Sequence, residues 1–453
     1  MVIRGVGRGG ERTAGNGTDN ASYCRQATLS LSFAANLAFL LDDEWKLTMP
    51  TFLPPARLTR AVLTSVAGLL STGLIWSATP AHAVPDQPAT PAASAATWAN
   101  RATDAYRALQ RELYQGADDH GLYLERTPKQ DADRDHSYLW PMREAAAAAV
   151  DMSRLPRRGA AYRDDAAERF DTIELYFGDG ERPGYQSYLP APLGTGGDVY
   201  YDDNAVVGLS ELDQYELTGS PIYLKRAEQI VPIVSRAWDT DDSLTCPGGM
   251  DWYDSPNNVY RATNVTALSA QLAARLYERT RNADYLAKAE QWYGWVYTCM
   301  RQAPGLYDND RNDDGSTNPT LWSYNSGAMI GTATSLFRST GDRSYLANAV
   351  EDARSSLAYW TQGTRLHDQP AIFNAFYFKD LLELDAIRGN RDFLIAMSDY
   401  AAATYASNRD PATGLYRFQP SGGGDYDPDA PAETLEQSAM IQIFATLAVA
   451  TPH

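Results

Sequence analysis

The sequence predicts an all-α protein folded as an (α/α)6 barrel, a ring of six helical hairpins. One phrase recurs about every sixty residues, as YELTGSPIYLKRAEQIV from 215, YERTRNADYLAKAEQWY from 277 and FRSTGDRSYLANAVEDA from 337. Repeats of this length are typical of stacked helix pairs. No segment shows sustained strand-like alternation, and no polar capping repeat marks either end. We therefore expect a closed ring rather than an open superhelix.

Each copy of the phrase describes the end of one helix, a short turn and the start of the next helix. Gly219 and Gly341 suit the left-handed conformation that closes a helix. The Tyr-Leu pair that follows falls on one face of the next helix, together with a later alanine. Such segments predict twelve helices in one domain, residues 95–450. Their predicted bounds are 95–115, 138–154, 160–177, 203–217, 221–238, 258–278, 282–300, 321–339, 343–360, 371–388, 390–408 and 433–449.

Three segments precede the predicted domain and point to export. From Met49, two arginines, an apolar run and an A-x-A cleavage site at 81–83 form the pattern of a signal peptide, residues 49–83. A membrane anchor is the competing interpretation, but the apolar run is shorter than the ~20 residues that a span needs. Residues 1–48 are then an upstream extension from a start codon assigned too early, or a disordered segment, and 84–94 form a linker. We expect a secreted, extracellular protein with no stable membrane anchor.

The charge and the aromatic content favour some ligands over others. Asp and Glu number 57 against 39 Lys and Arg, for a formal net charge of −18. A surface of that sign repels polyphosphate, which argues against nucleic acid and anionic membranes as partners. Tyr and Trp are abundant, with 28 and 10 copies against 12 Phe. Their flat apolar faces and polar tips suit stacking on polar, ring-shaped ligands, or else the lining of helix ends.

Cysteine and histidine usage bears on disulfides and metals. Without the N-terminal segments, Cys246 and Cys299 remain, and two cysteines in an exported chain suggest one disulfide. The five histidines are scattered and no CxxC motif occurs, so we expect neither a metal site nor a cofactor. Residues 310–315 match the first half of an EF-hand calcium loop, but Leu321 stands where that loop needs Glu. We therefore interpret this segment as an acid-rich turn.

Four long loops that precede the predicted inner helices are rich in aromatic residues, acids, amides and glycine. Their sequences are GTGGDVYYDDN from 194, CPGGMDWYDSPNNVYRATN from 246, DNDRNDDGSTNPTLWSYNSG from 308 and HDQPAIFNAFYF from 367. The turns that carry the repeated phrase are short and plain by comparison. Since function concentrates on loops that a rigid scaffold positions, we expect the functional site at this end of the ring.

The residue types in these loops fit the cleavage of a glycoside, in which two carboxyl groups flank the scissile bond. Adjacent Cα atoms lie ~3.8 Å apart, so neighbouring aspartates at a loop-to-helix junction can reach the ~5–5.5 Å separation of a retaining enzyme. The chain has six Asp-Asp pairs, and only Asp202-Asp203 follows two aromatics and a Gly-rich lead-in. Helix capping by this pair is the alternative interpretation.

The stretch YYDDNAVVGLSELDQYELTG, which begins at Tyr200, resembles the signature of glycoside hydrolase family 76, the α-1,6-mannanases. GGMDWYDSPNNVYRATNVTALSAQLAARLYERT, LWSYNSGAMIGTATSLFRSTGDRSYLANA and IFNAFYFKDLLEL follow in the family's order. The resemblance implies an (α/α)6 fold and retaining hydrolysis of α-1,6-linked mannose, with Asp202 as nucleophile and Asp203 as general acid/base. Val206 and Val207 stand where family members often have Trp, and GGMDW replaces a more usual pair of aromatics, which bears on fine specificity.

In this mechanism Asp203 holds a proton near neutral pH while Asp202 stays charged. Mutual repulsion achieves this, because ionising one carboxyl raises the pKa of the other. We expect aromatic rings to stack on sugar and amides to bind its hydroxyl groups, although each can instead pack the ring or fix a loop. The candidates are Tyr200, Tyr201, Trp252, Tyr253, Trp322 and Tyr324 for stacking, and Asn204, Asn264 and Asn325 for hydroxyl groups.

We therefore predict a monomeric, secreted endo-α-1,6-mannanase whose partner is α-mannan. Two alternatives keep the fold: a hydrolase or transglycosidase that acts on another α-linked glycan, and a non-catalytic glycan-binding protein. The intact Asp202 and Asp203 argue against the second alternative. An epimerase of this fold would need paired histidines, and His120, His136 and His367 do not recur at matching positions of the repeat.

Overall fold

The computed structural model describes residues 93–452. The predicted extension at 1–48, the predicted signal peptide at 49–83 and most of the predicted linker at 84–94 lie outside the described residues. The described part contains twelve α-helices: α1 (Ala95–Glu112), α2 (Leu139–Ser153), α3 (Arg163–Ile173), α4 (Tyr201–Thr218), α5 (Pro221–Ser235), α6 (Thr263–Thr280), α7 (Ala283–Cys299), α8 (Ser323–Thr340), α9 (Arg343–Trp360), α10 (Ala371–Arg388), α11 (Asp392–Ser407) and α12 (Thr434–Ala450).

The predicted helices all occur, with small differences at their ends. The bounds of α9 and α10 match the prediction at both ends. α3 is shorter than predicted because 3-10 turns at Gly159–Tyr162 and Glu174–Tyr176 replace its ends. The helix predicted from 258 begins only at Thr263, since Tyr260–Ala262 is a strand.

Six helices form a closed inner ring, in which α2, α4, α6, α8, α10 and α12 each contact the next and α12 contacts α2. These helices are buried on nearly all sides, and in α2 every residue but Trp140 is buried. A helix that is apolar all round belongs in a core, and α12 carries Glu436 as its only charged residue. The other six helices form an outer layer, each against an inner helix. The predicted (α/α)6 barrel is confirmed.

The start of each inner helix is bonded to the loop that precedes the next inner helix round the ring. The first backbone N–H of every inner helix donates to that loop at 2.9–3.0 Å. None of the six has a side-chain cap, and the neighbouring loop satisfies the first of the backbone N–H groups that lack a partner within the helix. All six therefore begin at one end of the barrel. The pairs are Leu139 with Ser187, Tyr201 with Trp252, Thr263 with Asn309, Ser323 with Gln369, Ala371 with Gly422 and Thr434 with Glu125.

Nine very short strands occur in the described residues. β1 pairs antiparallel with β9, β2 with β3 and β5 with β6, and β7 lies between β4 and β8. The β1–β9 and β4–β7 pairs join loops that precede different inner helices. The strands are β1 (Arg126–Thr127), β2 (Phe177–Gly178), β3 (Gly184–Tyr185), β4 (Tyr260–Ala262), β5 (Arg301–Ala303), β6 (Leu306–Tyr307), β7 (Asp310–Asn312), β8 (Thr317–Asn318) and β9 (Ala432–Glu433).

The repeated aromatic residue joins neighbouring outer helices. Tyr223, near the start of α5, packs edge-on against Phe170 of α3, with ring centroids 5.5 Å apart. Tyr345 takes the same place in α9 and packs against Tyr293 of α7 at 5.7 Å. The repeat visible in the sequence therefore encodes the contacts of the outer layer.

The turns at the opposite end of the barrel need a residue with positive φ. Gly219 and Gly341 close α4 and α8 with φ of 69° and 73°, as predicted. Arg281 closes α6 in the same conformation with φ of 57°, although only glycine adopts this conformation without steric cost.

The sixth hairpin of the barrel pairs the first helix with the last one. α1 lies against α12, and the Trp98 indole stacks on Phe444 with centroids 5.9 Å apart. A disulfide joins Cys246, in the loop before α6, to Cys299, the last residue of α7, with Cα atoms 6.1 Å apart. Between residues 93 and 452, no helix has the length and apolar character that a membrane span requires.

Candidate active site

Asp202 and Asp203 lie in the first turn of α4, at the end of the barrel where the inner helices begin. The N-cap position belongs to Tyr200, so capping does not explain the pair. The loop before α6 fixes the backbone here, because Tyr201 N–H donates to Trp252 O at 2.9 Å. An antiparallel bridge between Tyr200 and Tyr253 adds to this contact. The two carboxyl groups are thus held by neighbouring parts of the ring.

Three donors fix the Asp202 carboxylate. Its Oδ2 accepts hydrogen bonds from Trp252 Nε1 at 3.0 Å and Asn264 Nδ2 at 2.7 Å. Its Oδ1 accepts the backbone N–H of Asp203 at 3.0 Å. Burial raises the pKa of Asp202 to about 6, and these hydrogen bonds oppose the rise because they favour the charged form. Asp202 is therefore an oriented carboxylate that is ionised at neutral pH.

Asp203 has a different environment. Among the described residues, no donor bonds its carboxyl group. Burial raises the pKa of Asp203 well above its ordinary value, the negative charges of Asp202 and Glu144 raise it further, and Arg143 opposes them. Two neighbouring carboxyls with pKa values pushed apart supply one ionised group and one proton donor.

One group of aromatic rings surrounds Asp202. The Tyr200 ring lies 4.8 Å from Trp252 and 5.7 Å from Tyr253, centroid to centroid. Tyr260 of β4 lies 6.1 Å from Trp252. Trp252 and Tyr253 are half-buried, so their rings keep surface that a ligand can cover. Trp252 is thus part of this exposed aromatic surface, and it also donates a hydrogen bond to the Asp202 carboxylate.

A second group of aromatic rings, Trp140, Trp322, Tyr324 and Phe373, comes from the starts of three inner helices. Phe373 stacks on Tyr324 at 4.0 Å, meets Trp322 edge-on at 5.4 Å and stacks on Trp140 at 6.0 Å. Burial and the charge of Asp202 raise the pKa of Tyr324, which puts this group beside the carboxyl pair. We call these four residues the Phe373 group.

Six of the nine predicted substrate contacts are buried, and three of these are almost completely enclosed. Tyr201 is 2% exposed, and Asn204 and Asn325 are fully buried. Asn204 bonds both backbone groups of Tyr185 at 2.9 Å and Tyr200 O at 2.7 Å. Tyr201, Asn204 and Asn325 therefore offer a sugar almost no surface, and their predicted sugar contacts gain no support from the structure. Asn264 is 8% exposed and its amide is committed to Asp202.

Three residues of this site carry no clear signal in the sequence: Trp140, Glu144 and Phe373. Trp140 and Glu144 belong to LWPMREAAAAAV at the start of α2, which resembles an ordinary core helix. The loops before α2 and α12 were also left out of the predicted site. Like the four loops rich in aromatics and acids, these two loops precede inner helices, where function is expected to concentrate.

A group of carboxyls from these two loops lies beside the β1–β9 pair. Arg126 forms ion pairs with Asp133 at 3.2 Å and Glu433 at 3.1 Å. Burial raises the pKa of Glu125 to about 7 and that of Glu433 to about 8. In the part of the chain that the structure describes, no cluster of three or more acidic, His or Cys side chains is suited to a metal ion.

Residues 310–312 form β7, and residues 313–316 connect it to β8. Asp314 Oδ1 accepts hydrogen bonds from Ser316 N at 2.9 Å and from Ser316 Oγ at 2.6 Å. Asp310 Oδ2 accepts the side-chain amides of Asn309 at 2.8 Å and Asn318 at 3.0 Å. The acids of this segment therefore organise a hairpin turn.

A cavity of about 630 Å³ lies at the opposite end of the barrel, between the later turns of the inner helices. Its charged residues pair with each other: Arg275 bonds Asp213 at 2.8 Å and Glu216 at 3.0 Å, and Lys379 bonds Asp151 at 2.6 Å. Charges that already satisfy each other leave little to bind a ligand. The carboxyl pair and its aromatic surroundings make the stronger site.

Known proteins resemble the chain in sequence over part of its length. Mannan endo-1,6-alpha-mannosidase DFG5 of Saccharomyces cerevisiae is 27% identical over 195 residues, 40% of this chain and 38% of that protein. A putative mannan endo-1,6-alpha-mannosidase of Schizosaccharomyces pombe is 27% identical over 200 residues, 40% of this chain and 43% of that protein. The chain thus spans about two fifths of the length of these curated relatives.

Solved structures resemble the chain over most of its length. The family 76 mannosidase Bt3792 of Bacteroides thetaiotaomicron superposes with a TM-score of 0.68 at 21% identity, over 78% of this chain and 98% of that one. An inactive variant of the α-1,6-mannanase GH76A of Salegentibacter sp., solved with α-1,6-mannotriose, has a TM-score of 0.64 at 18% identity. The match covers 78% of this chain and 99% of that chain. The sequence model of glycosyl hydrolase family 76 matches residues 97–451, so the chain belongs to this family of glycosidases.

Proposed function

We propose that this protein is a secreted endo-α-1,6-mannanase that cleaves α-1,6-mannosidic bonds with retention of configuration. The observation that carries the proposal is the unequal environment of two adjacent carboxyls. Asp202 is fixed by three donors, while Asp203 receives none among the described residues and has a raised pKa. This is the division into nucleophile and acid/base that a retaining glycosidase needs.

The reaction runs in two displacements. Asp202 attacks the anomeric carbon and forms a glycosyl ester, while Asp203 gives its proton to the departing glycosidic oxygen. Asp203, now a carboxylate, takes a proton from water, and the hydroxide oxygen displaces Asp202 from the anomeric carbon. Both groups return to their first protonation states. Neither step needs a cofactor or a metal ion.

Two comparisons support the choice of substrate. The curated relatives carry the name mannan endo-1,6-alpha-mannosidase. The inactive mannanase variant that was solved with α-1,6-mannotriose has two consecutive aspartates replaced by asparagine. This chain has consecutive aspartates at the start of an inner helix of the same fold. We infer that they correspond and that α-mannan is the partner.

The aromatic surroundings supply the sugar-binding surface in this proposal. Trp252, Tyr253 and Trp322 are half-buried rings around the carboxyl pair, and aromatic faces suit stacking on sugar rings. We further propose that the protein works as an extracellular monomer without a membrane anchor. The apolar segment and A-x-A site before residue 84 support export.

The proposal is tested by incubating the purified protein with linear α-1,6-mannan and following the products by proton NMR. We expect mannooligosaccharides that first appear in the α configuration. Asp203→Asn should lower the rate on the order of 10²–10⁴-fold, and Asp202→Asn should abolish turnover because no nucleophile remains. Asp164→Asn is the matched control, since Asp164 also begins an Asp-Asp pair in a first helical turn, on the outer helix α3.

The outcomes separate the parts of the proposal. No cleavage of any α-mannan would contradict the substrate, and full activity in either site variant would contradict the assigned residues. Products that first appear in the β configuration would rule out the nucleophile role of Asp202. Free mannose as the first product indicates exo action, and products longer than the substrate indicate transfer to sugar instead of water.

A further inference from the structure

Glu144 is a buried carboxylate that the two-aspartate mechanism does not use. It lies on the inner helix α2 and is fully buried. Its Oε1 accepts Trp140 Nε1 at 2.9 Å and pairs with Arg143, and its Oε2 accepts Gln442 Nε2 of α12 at 2.8 Å. A charge buried in a protein is costly unless it is paired and hydrogen-bonded. Three converging donors therefore hold this buried carboxylate in one position.

We propose that Glu144 is a positioning residue of the active site, a third buried carboxylate that acts on Asp203 from the neighbouring helix α2 and orients Trp140. The inference rests on the proposed function, because it assigns Asp203 the role of acid. Glu144 acts through other residues and has no surface with which to contact a sugar.

The charged groups that act on Asp203 come from two helices. Asp202 lies on its own helix, α4, and Glu144 and Arg143 face it from α2. Both negative charges favour the protonated form of Asp203, and the positive charge of Arg143 opposes it. On α12, the pKa of Glu436 is raised by burial and, among nearby charges, by that of Glu144. The facing group of α6 is Asn264, a neutral amide bound to Asp202.

The position of Glu144 is fixed by parts of three inner helices. Arg143 donates through Nε to Val206 O of α4 at 3.0 Å, which ties α2 to the helix that carries the aspartates. Gln442 of α12 accepts Lys379 Nζ of α10 at 2.7 Å while it donates to Glu144. Because each partner is itself held, the carboxylate keeps its place relative to Asp203.

The link to Trp140 connects Glu144 to the Phe373 group. Trp140 is the one residue of α2 that is not buried, and its ring stacks on Phe373. Its indole N–H points back to Glu144. One carboxylate thus fixes an aromatic surface and biases the proton donor.

The charge effect has a defined sign. Replacing Glu144 with Gln removes a charge that favours protonated Asp203 and leaves Arg143 to favour the ionised form. The proton donor is then lost at lower pH, so the descending limb of the pH–rate profile moves to lower pH. Replacing Arg143 with Met removes the opposing charge and should move the same limb to higher pH.

The test compares kcat/KM on linear α-1,6-mannan against pH for the parent protein, Glu144→Gln, Arg143→Met and Glu211→Gln. Glu211 is the matched control, since it is a fully buried glutamate on α4 that packs toward the outer layer. On the descending limb we expect Glu144→Gln to be about tenfold less active than the parent and Arg143→Met to be more active. Glu211→Gln should keep the parent's profile.

The outcomes separate this inference from the proposed function. If Asp202→Asn is inactive but Glu144→Gln keeps the descending limb of the parent, the inference is overturned and the proposed function stands. If Asp202→Asn is active, the proposed function itself fails. A Glu144→Gln protein that does not fold leaves Arg143→Met to decide, since an unmoved limb there overturns the inference. Trp140→Phe, which loses the indole N–H and part of the ring, should raise KM without moving either limb, and an unchanged KM would contradict the orienting role.

Discussion

At the proposed catalytic pair, the Asp202 carboxylate receives three hydrogen bonds and its neighbour receives none within the described residues. The helix N-terminus favours negative charge at both positions, yet burial raises both pKa values. Desolvation therefore outweighs the helix dipole here. The hydrogen bonds decide which carboxyl ionises first.

The different environments of Asp202 and Asp203 predict the ascending limb of the pH–rate profile on α-1,6-mannan. Activity should rise through about pH 6, because burial sets the pKa of Asp202 to about 6 and the nucleophile must be ionised. Trp252→Phe removes an N–H that favours the charged form, so the pKa rises and the ascending limb moves to higher pH. We expect kcat/KM at pH 5 to fall about tenfold, which corresponds to the free energy of one hydrogen bond to a charged group.

A second tryptophan provides the control for this variant. Trp295 Nε1 donates to Cys246 O, a neutral backbone group, at 3.1 Å. Trp295→Phe loses the same kind of donor without touching a carboxylate and should leave the ascending limb in place. Equal shifts in the two variants would show that the limb does not report the bond to Asp202.

At this scale the sequence predicted the two aspartates and missed the residues behind them. The pair was visible because its aromatic neighbours and the family resemblance set it apart from five other Asp-Asp pairs. Glu144 could not be identified from the sequence, because the segment LWPMREAAAAAV resembles an ordinary core helix. The backbone contacts of Asn204 could not be predicted, because an asparagine that binds backbone groups and one that binds sugar look alike in a sequence. Burial distinguishes them, and burial depends on the tertiary structure.

At the scale of elements, the inner helices begin with residues that are poor N-caps, such as Ala262 and Pro370. Their first N–H groups bond to the next loop instead. Three of the six outer helices, α1, α7 and α9, begin with side-chain caps, from Ser94, Asn282 and Asp342. The lack of caps in the sequence thus reflects the loops that hold the inner helices together.

The helix bounds could be predicted where local signals decide them. α9 runs from an Asp cap to Trp360, and its predicted and observed bounds agree. The start of α6 could not be predicted, because Tyr260–Ala262 is a strand only through its pairing with Asp310–Asn312. A strand of three residues is too short to show alternation.

The disulfide gives a prediction for the loop that carries Trp252. Cys246 and Cys299 are separated by 53 residues, and closing a loop of that size contributes about 2–4 kcal/mol to the free energy of unfolding. Cys246→Ser with Cys299→Ser should lower Tm accordingly. The site should persist at low temperature, because Arg261 also holds the loop through Cys246 O and Gly248 O, both at 2.9 Å.

Reduction supplies the control for the disulfide variant. A thiol reductant should lower the Tm of the parent by the same amount and leave the double variant unchanged. A double variant with the parent's Tm would contradict the stabilising role. Loss of activity well below its Tm would instead show that the disulfide shapes the site directly.

At the scale of the whole molecule, the ring places six helix N-termini at one end. The partial positive charge at each helix start favours carboxylates, and the acids of that end include Asp202, Glu433 and Glu436. The architecture therefore gathers acidic groups where the proposed reaction needs them. The repeat predicted this arrangement, since it fixed the alternation of inner and outer helices. It could not predict the partner of α1, which is set by closure of the ring.

That closure can be tested at the contact between the first and last helices. Trp98 on α1 is 1% exposed and stacks on Phe444 of α12. Trp98→Ala removes a large buried ring and should lower the free energy of unfolding by about 3–5 kcal/mol. Val449→Ala is the control on α12. Val449 is 48% exposed, so shortening its side chain should lower the free energy of unfolding by less than about 0.5 kcal/mol. Because the inner ring is continuous, helicity and mannanase activity should be lost in one transition, at a lower Tm in Trp98→Ala. Activity that disappears while helicity remains would show that this contact and the active site unfold separately.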